Sequence, residues 1–184
     1  MAKKPESKKT EESPENAADA KAESAQRPVM QVLGQFIRDM SFENIAAQRG
    51  AEGEIAPDVS VQVSLDAKSH KNPDHYILSS KYNVTSKQKG TDNALFLLEL
   101  DYAGLFLIKN VTKQQLGPIL LIECPRMLFP FVRRIVNDVT RDGGFPPLNI
   151  ENIDFVSLYQ QQLERQKNAA QGEKPNGKAK QSAS

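Results

Sequence analysis

Apolar and polar residues alternate along the first half of the chain body, in the pattern of strands that bury one face. The alternation is regular between Val59 and Leu65, where every second residue is aliphatic and the residues between are polar. It recurs between Tyr76 and Val84 and between Ala94 and Ile108, and the last segment is apolar on both faces at its ends, as in a central or interfacial strand. A further segment, Met30 to Phe42, predicts another strand, and polar clusters between the segments predict turns.

The second half of the body has the three- and four-residue spacing of amphipathic helices instead. One helix is predicted from the apolar residues between Leu128 and Val139, with Pro125 at its first position and Gly143-Gly144 at its end. Pro130 lies early in this segment and predicts a kink or a later start. A second helix is predicted after Asp154, a suitable N-cap, with the stripe Phe155, Leu158, Tyr159, Gln162 and Leu163. Strands followed by helices predict an α+β fold with an antiparallel sheet.

Both ends of the chain differ in composition from the body. Residues 1–27 and 166–184 contain no valine, isoleucine, leucine or aromatic residue, and lysine, glutamate and alanine are frequent there. Such segments cannot bury enough apolar surface to offset the entropy of the chain. We therefore predict a disordered charged N-terminal extension (1–27), one folded domain (28–165) and a disordered C-terminal tail (166–184).

The charge distribution and the single cysteine limit the classes of partner and the compartment. Basic and acidic residues are nearly balanced, at 24 and 23, and without its two ends the chain is slightly acidic. A slightly acidic body does not favour nucleic acid as a partner, because phosphate neutralisation requires a basic surface. The N-terminal lysines precede no apolar stretch, and one cysteine excludes an internal disulfide, so we expect a cytoplasmic protein without membrane insertion.

Residues with catalytic potential are few and have no evident partners. His70 and His75 share one predicted turn, which favours two solvated side chains over a metal site, since no third ligand lies nearby. Cys124 is interpreted as a small core thiol rather than a nucleophile. Glu99 and Asp101 share a strand face, where a solvated edge or a docking patch is favoured over acid–base chemistry. No phosphate-binding loop occurs, so we expect neither an enzyme nor a cofactor.

Four short motifs resemble the SecB family of protein-export chaperones, in the same order along the chain. Glu123–Pro130 (ECPRMLFP) resembles the family stretch Cys-Pro-x-x-Leu-Phe-Pro, and Phe145–Asn149 (FPPLN) resembles Phe-Pro-x-Leu-x. Asp39–Glu43 (DMSFE) resembles Asp-x-Ser-Phe-Glu, and Ala103–Phe106 (AGLF) resembles Gly-Gly-Ile-Phe. The resemblance covers about residues 28–165.

The resemblance implies a SecB-like four-stranded antiparallel sheet with two helices packed on one face, assembled as a homotetramer that is a dimer of dimers. It implies a chaperone that holds non-native secretory precursors without ATP and delivers them to the export motor SecA. In the family, an acidic surface on the sheet binds the basic tail of SecA. The matching residues here are Asp39, Glu43, Leu97 and Glu99.

A holding chaperone needs apolar side chains that remain accessible, because only unfolded clients offer long apolar segments. The candidates are Phe42, Ile45, Phe155, Leu158, Tyr159 and Leu163. Burial of the helix stripe in the core is the competing interpretation. Two other functions stay open: a general or toxin–antitoxin-associated holdase on the same scaffold, and an α+β enzyme or small-ligand protein.

Overall fold

A computed structural model describes residues 27–50 and 56–172 of the chain. The predicted disordered N-terminal extension therefore lies almost entirely outside the described residues, as does the last part of the predicted C-terminal tail. The last helix continues past the predicted domain end at residue 165 and reaches Gly172. Alanine, glutamine and lysine favour helix even without an apolar face, so a composition that predicts a tail also permits extra helical turns.

Four antiparallel strands form one sheet in the order β1-β4-β3-β2. The strands are β1 (Val29–Asn44), β2 (Pro57–Ser69), β3 (His75–Gln88) and β4 (Ala94–Lys109). All four predicted strands are confirmed, and β4 is central, in agreement with its two apolar faces. Strands β1 and β2 lie at the edges of the sheet, so one side of each backbone has no partner strand in the described chain.

The helices are α1 (Ile45–Arg49), α2 (Lys113–Pro118), α3 (Cys124–Asp142) and α4 (Phe155–Gly172). A π-helical turn, Ile119–Glu123, joins α2 to α3, so the helical path starts well before Pro125. It begins at a capping box in which Thr112 and Gln115 bind each other's backbone N–H groups. Sequence patterns missed this start because Gly117 and Pro118 indicate a break and the aliphatic run after them has no helical spacing.

The π-helical turn explains how α3 accommodates its first proline. Pro125 has no N–H group, and its ring would collide with a carbonyl of the preceding turn in a regular helix. The N–H group of Cys124 binds the carbonyl of Ile119, five residues back, so the turn before Pro125 is wider than an α-helical turn. Pro130 lies inside α3, and the predicted later start of the helix is therefore wrong.

The core lies between α3 and the inner face of the two central strands. The even-numbered residues of β3 and β4 project to this face, and they include Leu78, Tyr82, Leu98 and Phe106, each almost fully buried. Gly104 permits close packing, because a Cβ there would lie 3.0 Å from Leu128 Cδ1 and 2.7 Å from Phe106 Cε2. The described helices pack on this inner face, and the outer face of the sheet carries a different set of side chains.

Candidate functional site

The four residues predicted to bind SecA come together on the outer face of β1 and β4. In the register of these strands, Glu43 pairs with Leu97, Ser41 with Glu99, and Asp39 with Asp101. Antiparallel partners project from the same face, so these side chains form one patch. Asp39, Glu43 and Glu99 are exposed and Leu97 is half-buried. We call these four residues together with Asp101 the acidic surface.

Asp101 differs from the other carboxylates of the acidic surface, because it is buried and has partners. Its Oδ1 accepts a hydrogen bond from Ser79 Oγ at 2.5 Å, and its Oδ2 lies 3.8 Å from Arg38 Nη1. Arg38 occupies a bulge in β1 and is itself about half exposed. The charge available to a partner therefore comes from the three exposed carboxylates, while Leu97 offers an apolar contact beside them.

Phe42 lies on the inner face of the same strand end, next to the acidic surface but on the opposite side of the sheet. Its ring lies 5.6 Å from the ring of Phe96 and meets Phe145 edge-on at 6.5 Å, so it is half-buried. Two residues further on, the side chain of Asn44 accepts from the N–H of Ala47 and donates to the carbonyl of Gly143 at 2.8 Å. The end of β1 is thereby attached to the end of α3.

Ile45, the first residue of α1, is half-buried, and the other four predicted client residues lie on α4. Phe155 is 1% exposed and its ring packs edge-on against Phe129 at 5.9 Å, so it belongs to the core and is withdrawn from the predicted groove. Leu158, Tyr159 and Leu163 are half-buried. A periodic stripe shows which side of a helix is apolar, but not how deeply each residue on that side is buried.

A groove runs between the edge strand β2 and the segment that connects α3 to α4. The groove has a volume of about 450 Å³, and its lining consists of the apolar residues Val59, Val61, Val63, Leu148, Ile150, Ile153 and Leu158 and the polar residues Asn149, Glu151 and Asn152. A second cavity shares Val63 and Leu158 with the first and is lined elsewhere mainly by polar side chains of β2 and α4. The alternation along β2 predicted its apolar face, but no local pattern indicated that this face lines a groove.

The predicted client residues occupy two separate places in one chain. Phe42 and Ile45 lie at the β1 edge of the sheet, whereas Leu158 lies beside β2 at the other edge. A further set of exposed apolar side chains, which sequence analysis missed, lies on β1 and α3: Val29, Met30, Leu33, Phe36, Ile37, Met40, Met127 and Phe131. Met30, Ile37 and Met40 project to the inner face of β1, the side on which α3 packs, whereas Val29 and Phe36 project to the outer face. We call this set the β1–α3 surface.

The residues considered for chemistry are not arranged for it in the part of the chain that the structure describes. The rings of His70 and His75 lie 6.2 Å apart, and His75 Nδ1 is 2.7 Å from the carbonyl oxygen of Pro73. No group of three potential metal ligands occurs among residues 27–50 and 56–172. Burial, and then the charge of Glu123, raise the pKa of the Cys124 thiol to about 12, so it is not a thiolate nucleophile at neutral pH.

The helices within the described ranges include none with both the length and the apolar character needed to cross a bilayer. A sheet with helices on one face, an open apolar groove at one edge and a carboxylate surface on the opposite face define a protein that binds other polypeptide chains. The comparisons with known proteins agree with this class.

Residues 23–166 match the family described as preprotein translocase subunit SecB. The chain is 59% identical over 159 residues to the protein-export protein SecB of Ruegeria pomeroyi, covering 85% of this chain and 96% of that protein. It is 62% identical over 144 residues to the protein-export protein SecB of Roseobacter denitrificans, covering 78% and 87%. This chain belongs to the SecB family.

The fold is also similar to a SecB-like chaperone of Mycobacterium tuberculosis, solved in complex with a peptide from an antitoxin. The TM-score is 0.55 at 14% sequence identity, and the match covers 68% of this chain and 91% of the other. At this identity the similarity concerns the fold alone.

Proposed function

We propose that this protein is a holding chaperone of protein export, which binds non-native secretory precursors without ATP and delivers them to SecA. Membership of the SecB family supports the export role, and that family consists of chaperones rather than enzymes. The observation that carries the proposal is the position of Asp39, Glu43, Leu97 and Glu99, which form one patch on the face opposite the groove. A cytoplasmic location suits this role and the single cysteine.

The groove beside β2 is the proposed site for the client chain. Its walls present aliphatic side chains to solvent, and one edge of β2 has no partner strand among residues 27–50 and 56–172. An extended client would bury apolar side chains against Val61, Val63 and Leu158, at about 1.5–3 kcal/mol for each fully buried side chain before the cost of ordering. Unfolded chains present long apolar segments and unpaired backbone groups, which folded proteins mostly bury or pair, so the groove favours unfolded chains.

The acidic surface is the proposed site for the basic tail of SecA. Three exposed carboxylates on one sheet face attract a cationic peptide and orient it as it approaches. Exposed charges are screened by salt, so binding should weaken as ionic strength rises. Because the helices and the groove lie on the other side of the sheet, a client and the SecA tail have room to bind at the same time.

The β1–α3 surface supports a homotetramer built as a dimer of dimers. Eight large apolar side chains of β1 and α3 are each between 37% and 46% exposed in one chain. Uncovered apolar side chains on an edge strand and on a helix are typical of an interface between copies. Several copies bound to one long client would add avidity, since each further contact becomes intramolecular.

A Glu99→Lys variant tests the separation of the two sites. We expect it to weaken binding of a SecA tail peptide by about tenfold, because the positive charge of the lysine repels the basic peptide. Suppression of the aggregation of an unfolded precursor, followed by light scattering without nucleotide, should stay as in the unmodified protein. Asp66→Lys is the matched control, since Asp66 is exposed on the same face at the opposite edge.

Loss of both activities in a folded Glu99→Lys protein would refute separate sites.

The alternative function is a general or toxin–antitoxin-associated holdase, and the antitoxin peptide bound by the SecB-like chaperone of Mycobacterium tuberculosis is the observation that keeps it open. Failure of the unmodified protein to bind the SecA tail peptide, with client holding retained, would favour that alternative.

A further inference from the structure

Three side chains on one side of α3 form hydrogen bonds with the segment that connects α3 to α4. Arg133 Nη2 donates to Asn152 Oδ1 at 2.6 Å, and Asn137 Nδ2 donates to Asn149 Oδ1 at 3.0 Å. Thr140 Oγ1 accepts from the backbone N–H of Leu148 at 3.0 Å. The donors and acceptors on α3 are spaced by four and three residues, so they share one side of the helix. We call this set the polar ladder.

The connecting segment depends on such contacts for its position. Residues 146–153 form neither helix nor strand. Their backbone therefore lacks the regular hydrogen bonds that hold a wall of secondary structure in place. The ladder bonds occur at residues 148, 149 and 152, so they are distributed along the segment rather than concentrated at one end.

The same segment is one wall of the groove. Leu148, Ile150 and Ile153 line it opposite the valines of β2. The wall therefore has α3 on one side and the open groove on the other. A change in its distance from β2 changes the width available to an apolar side chain of a client.

Arg133 also connects the ladder to the start of α4. Its guanidinium lies 4.8 Å from the centre of the Phe129 ring, and Phe129 packs edge-on against Phe155, the first residue of α4. Cation–π and aromatic contacts of this kind restrict the positions of all three side chains. The position of α4, which contributes Leu158 to the groove, is therefore related to that of the connecting wall.

We infer that Asn137 and Arg133 are positioning residues for the client groove, which set the distance between the connecting wall and β2. Arg133 also lines a cavity beside this wall, so Asn137 is the residue that tests positioning without client contact. Asn137 is absent from the residues that line the groove cavities within the described chain. Its effect on clients must therefore pass through Asn149. The inference rests on the proposed client site and names the residues that shape it.

Asn137→Ala is the principal test, with Asn137→Asp as the conservative variant, because the Asn149 amide can rotate and donate to the new carboxylate. The client probe is fluorescently labelled, reduced and carboxymethylated α-lactalbumin, a chain that cannot refold. We expect Asn137→Ala to raise its dissociation constant about fivefold, the loss that corresponds to one hydrogen bond. Amide hydrogen exchange in residues 148–153 should become faster, and Asn137→Asp should restore both properties.

Arg141→Ala is the matched control, because Arg141 lies on the same helix, is more than half exposed and forms its ion pair with Asp138 outside the ladder. It should bind the probe as the unmodified protein does. Arg133→Met is a second variant that retains the length of the side chain and removes the bond to Asn152. It guards against the possibility that Asn137→Ala does not fold.

Unchanged probe binding by both ladder variants, in folded proteins, would overturn the inference. So would unchanged hydrogen exchange in the connecting segment, since the ladder would then not hold the wall. Equal weakening by Asn137→Asp and Asn137→Ala would indicate a packing effect and would also overturn it. If the unmodified protein does not bind the probe at all, the proposed client site itself fails, and this result is distinct from the other three.

Discussion

At the scale of single residues, Gly143 decides where the aromatic ring of Phe42 lies. A Cβ added to Gly143 would be 2.5 Å from Phe42 Cζ. The backbone of Gly143 has a φ of −73°, which any residue adopts, so the requirement is for space rather than for conformational freedom. The ring of a residue predicted to contact clients therefore rests on a glycine at the end of α3.

Gly143→Ala should force the Phe42 ring out of this position or shift the end of α3. We expect the free energy of unfolding to fall by about 1–3 kcal/mol, as for overpacking elsewhere in proteins. Urea unfolding followed by circular dichroism measures this. Combining the change with Phe42→Leu should recover part of the loss, because the smaller side chain leaves room for the new methyl group. An unchanged midpoint for Gly143→Ala would contradict the predicted clash.

Cys124 predicts a dependence of stability on alkaline pH. Burial raises the pKa of its thiol to about 12 in the folded protein, whereas the ordinary value is 9.0. The stability that the neutral thiol contributes is therefore complete below pH 9 and is lost as the pH rises toward 12, because only the unfolded chain releases the proton. The free energy of unfolding, measured with urea, should exceed that of Cys124→Ala by less at pH 10 than at pH 8. A constant difference would contradict this assignment.

At the scale of secondary structure, α4 begins at a carboxylate that caps it. Asp154 Oδ1 accepts from the backbone N–H groups of Val156 and Ser157, and Oδ2 accepts from Ser157 Oγ at 2.7 Å. The hydrogen bonds from Ser157, more than any other cause, lower the pKa of the Asp154 carboxyl. These bonds set the start of the helix that contributes Leu158 to the groove.

Replacing Asp154 by alanine should destabilise the protein in a pH-dependent way. A lowered pKa means that the ionised cap contributes stability above its ordinary pKa of 3.8 and loses it as the pH falls through the lower folded-state value. The free energy of unfolding should therefore be lower for Asp154→Ala than for the unmodified protein at pH 7, and the two values should converge under strong acid. Asp154→Ser retains an oxygen for the cap and should lie between them. Equal stability at pH 7 would exclude a capping role.

At the scale of the whole molecule, the uncovered apolar side chains of the β1–α3 surface determine the assembly that we propose. A single chain exposes Phe131 on α3 and Ile37 on β1 by 40% and 45%. These side chains lie outside the core cluster, so a polar replacement has little to disturb within the chain. In a tetramer the same replacement would bury a charge in an interface.

Phe131→Glu should therefore divide the tetramer into smaller species while the chain stays folded. Light scattering coupled to size exclusion measures the mass, and circular dichroism checks the fold. Asn83→Glu, at an exposed position on the outer face of the sheet, is the matched control and should leave the mass unchanged. A monomeric unmodified protein, or an unchanged mass for Phe131→Glu, would contradict the proposed interface.

Local patterns in the chain were sufficient for the strands, for the amphipathic part of α3 and for the Asp154 cap. Alternation and capping depend on neighbouring residues, so they are legible along the sequence. The helical start at Lys113 could not be predicted from the sequence, because Gly117, Pro118 and the unbroken aliphatic run after them do not have a helical pattern. The motifs at Asp39–Glu43 and Glu123–Pro130 indicated the family because they combine several residue types at fixed spacing.

Contacts between distant residues could come only from the folded chain. Strand order joins Glu43 to Leu97 and Asp39 to Asp101, residues that lie more than fifty positions apart. The placement of β2 at an edge, and of the connecting segment opposite it, turns an ordinary half-buried strand face into a groove wall. Periodicity identifies which side of an element is apolar, whereas the neighbour that covers this side, or leaves it open, is decided by packing across the whole chain. For that reason Phe155 became core and Leu158 a groove residue, although the same stripe predicted both.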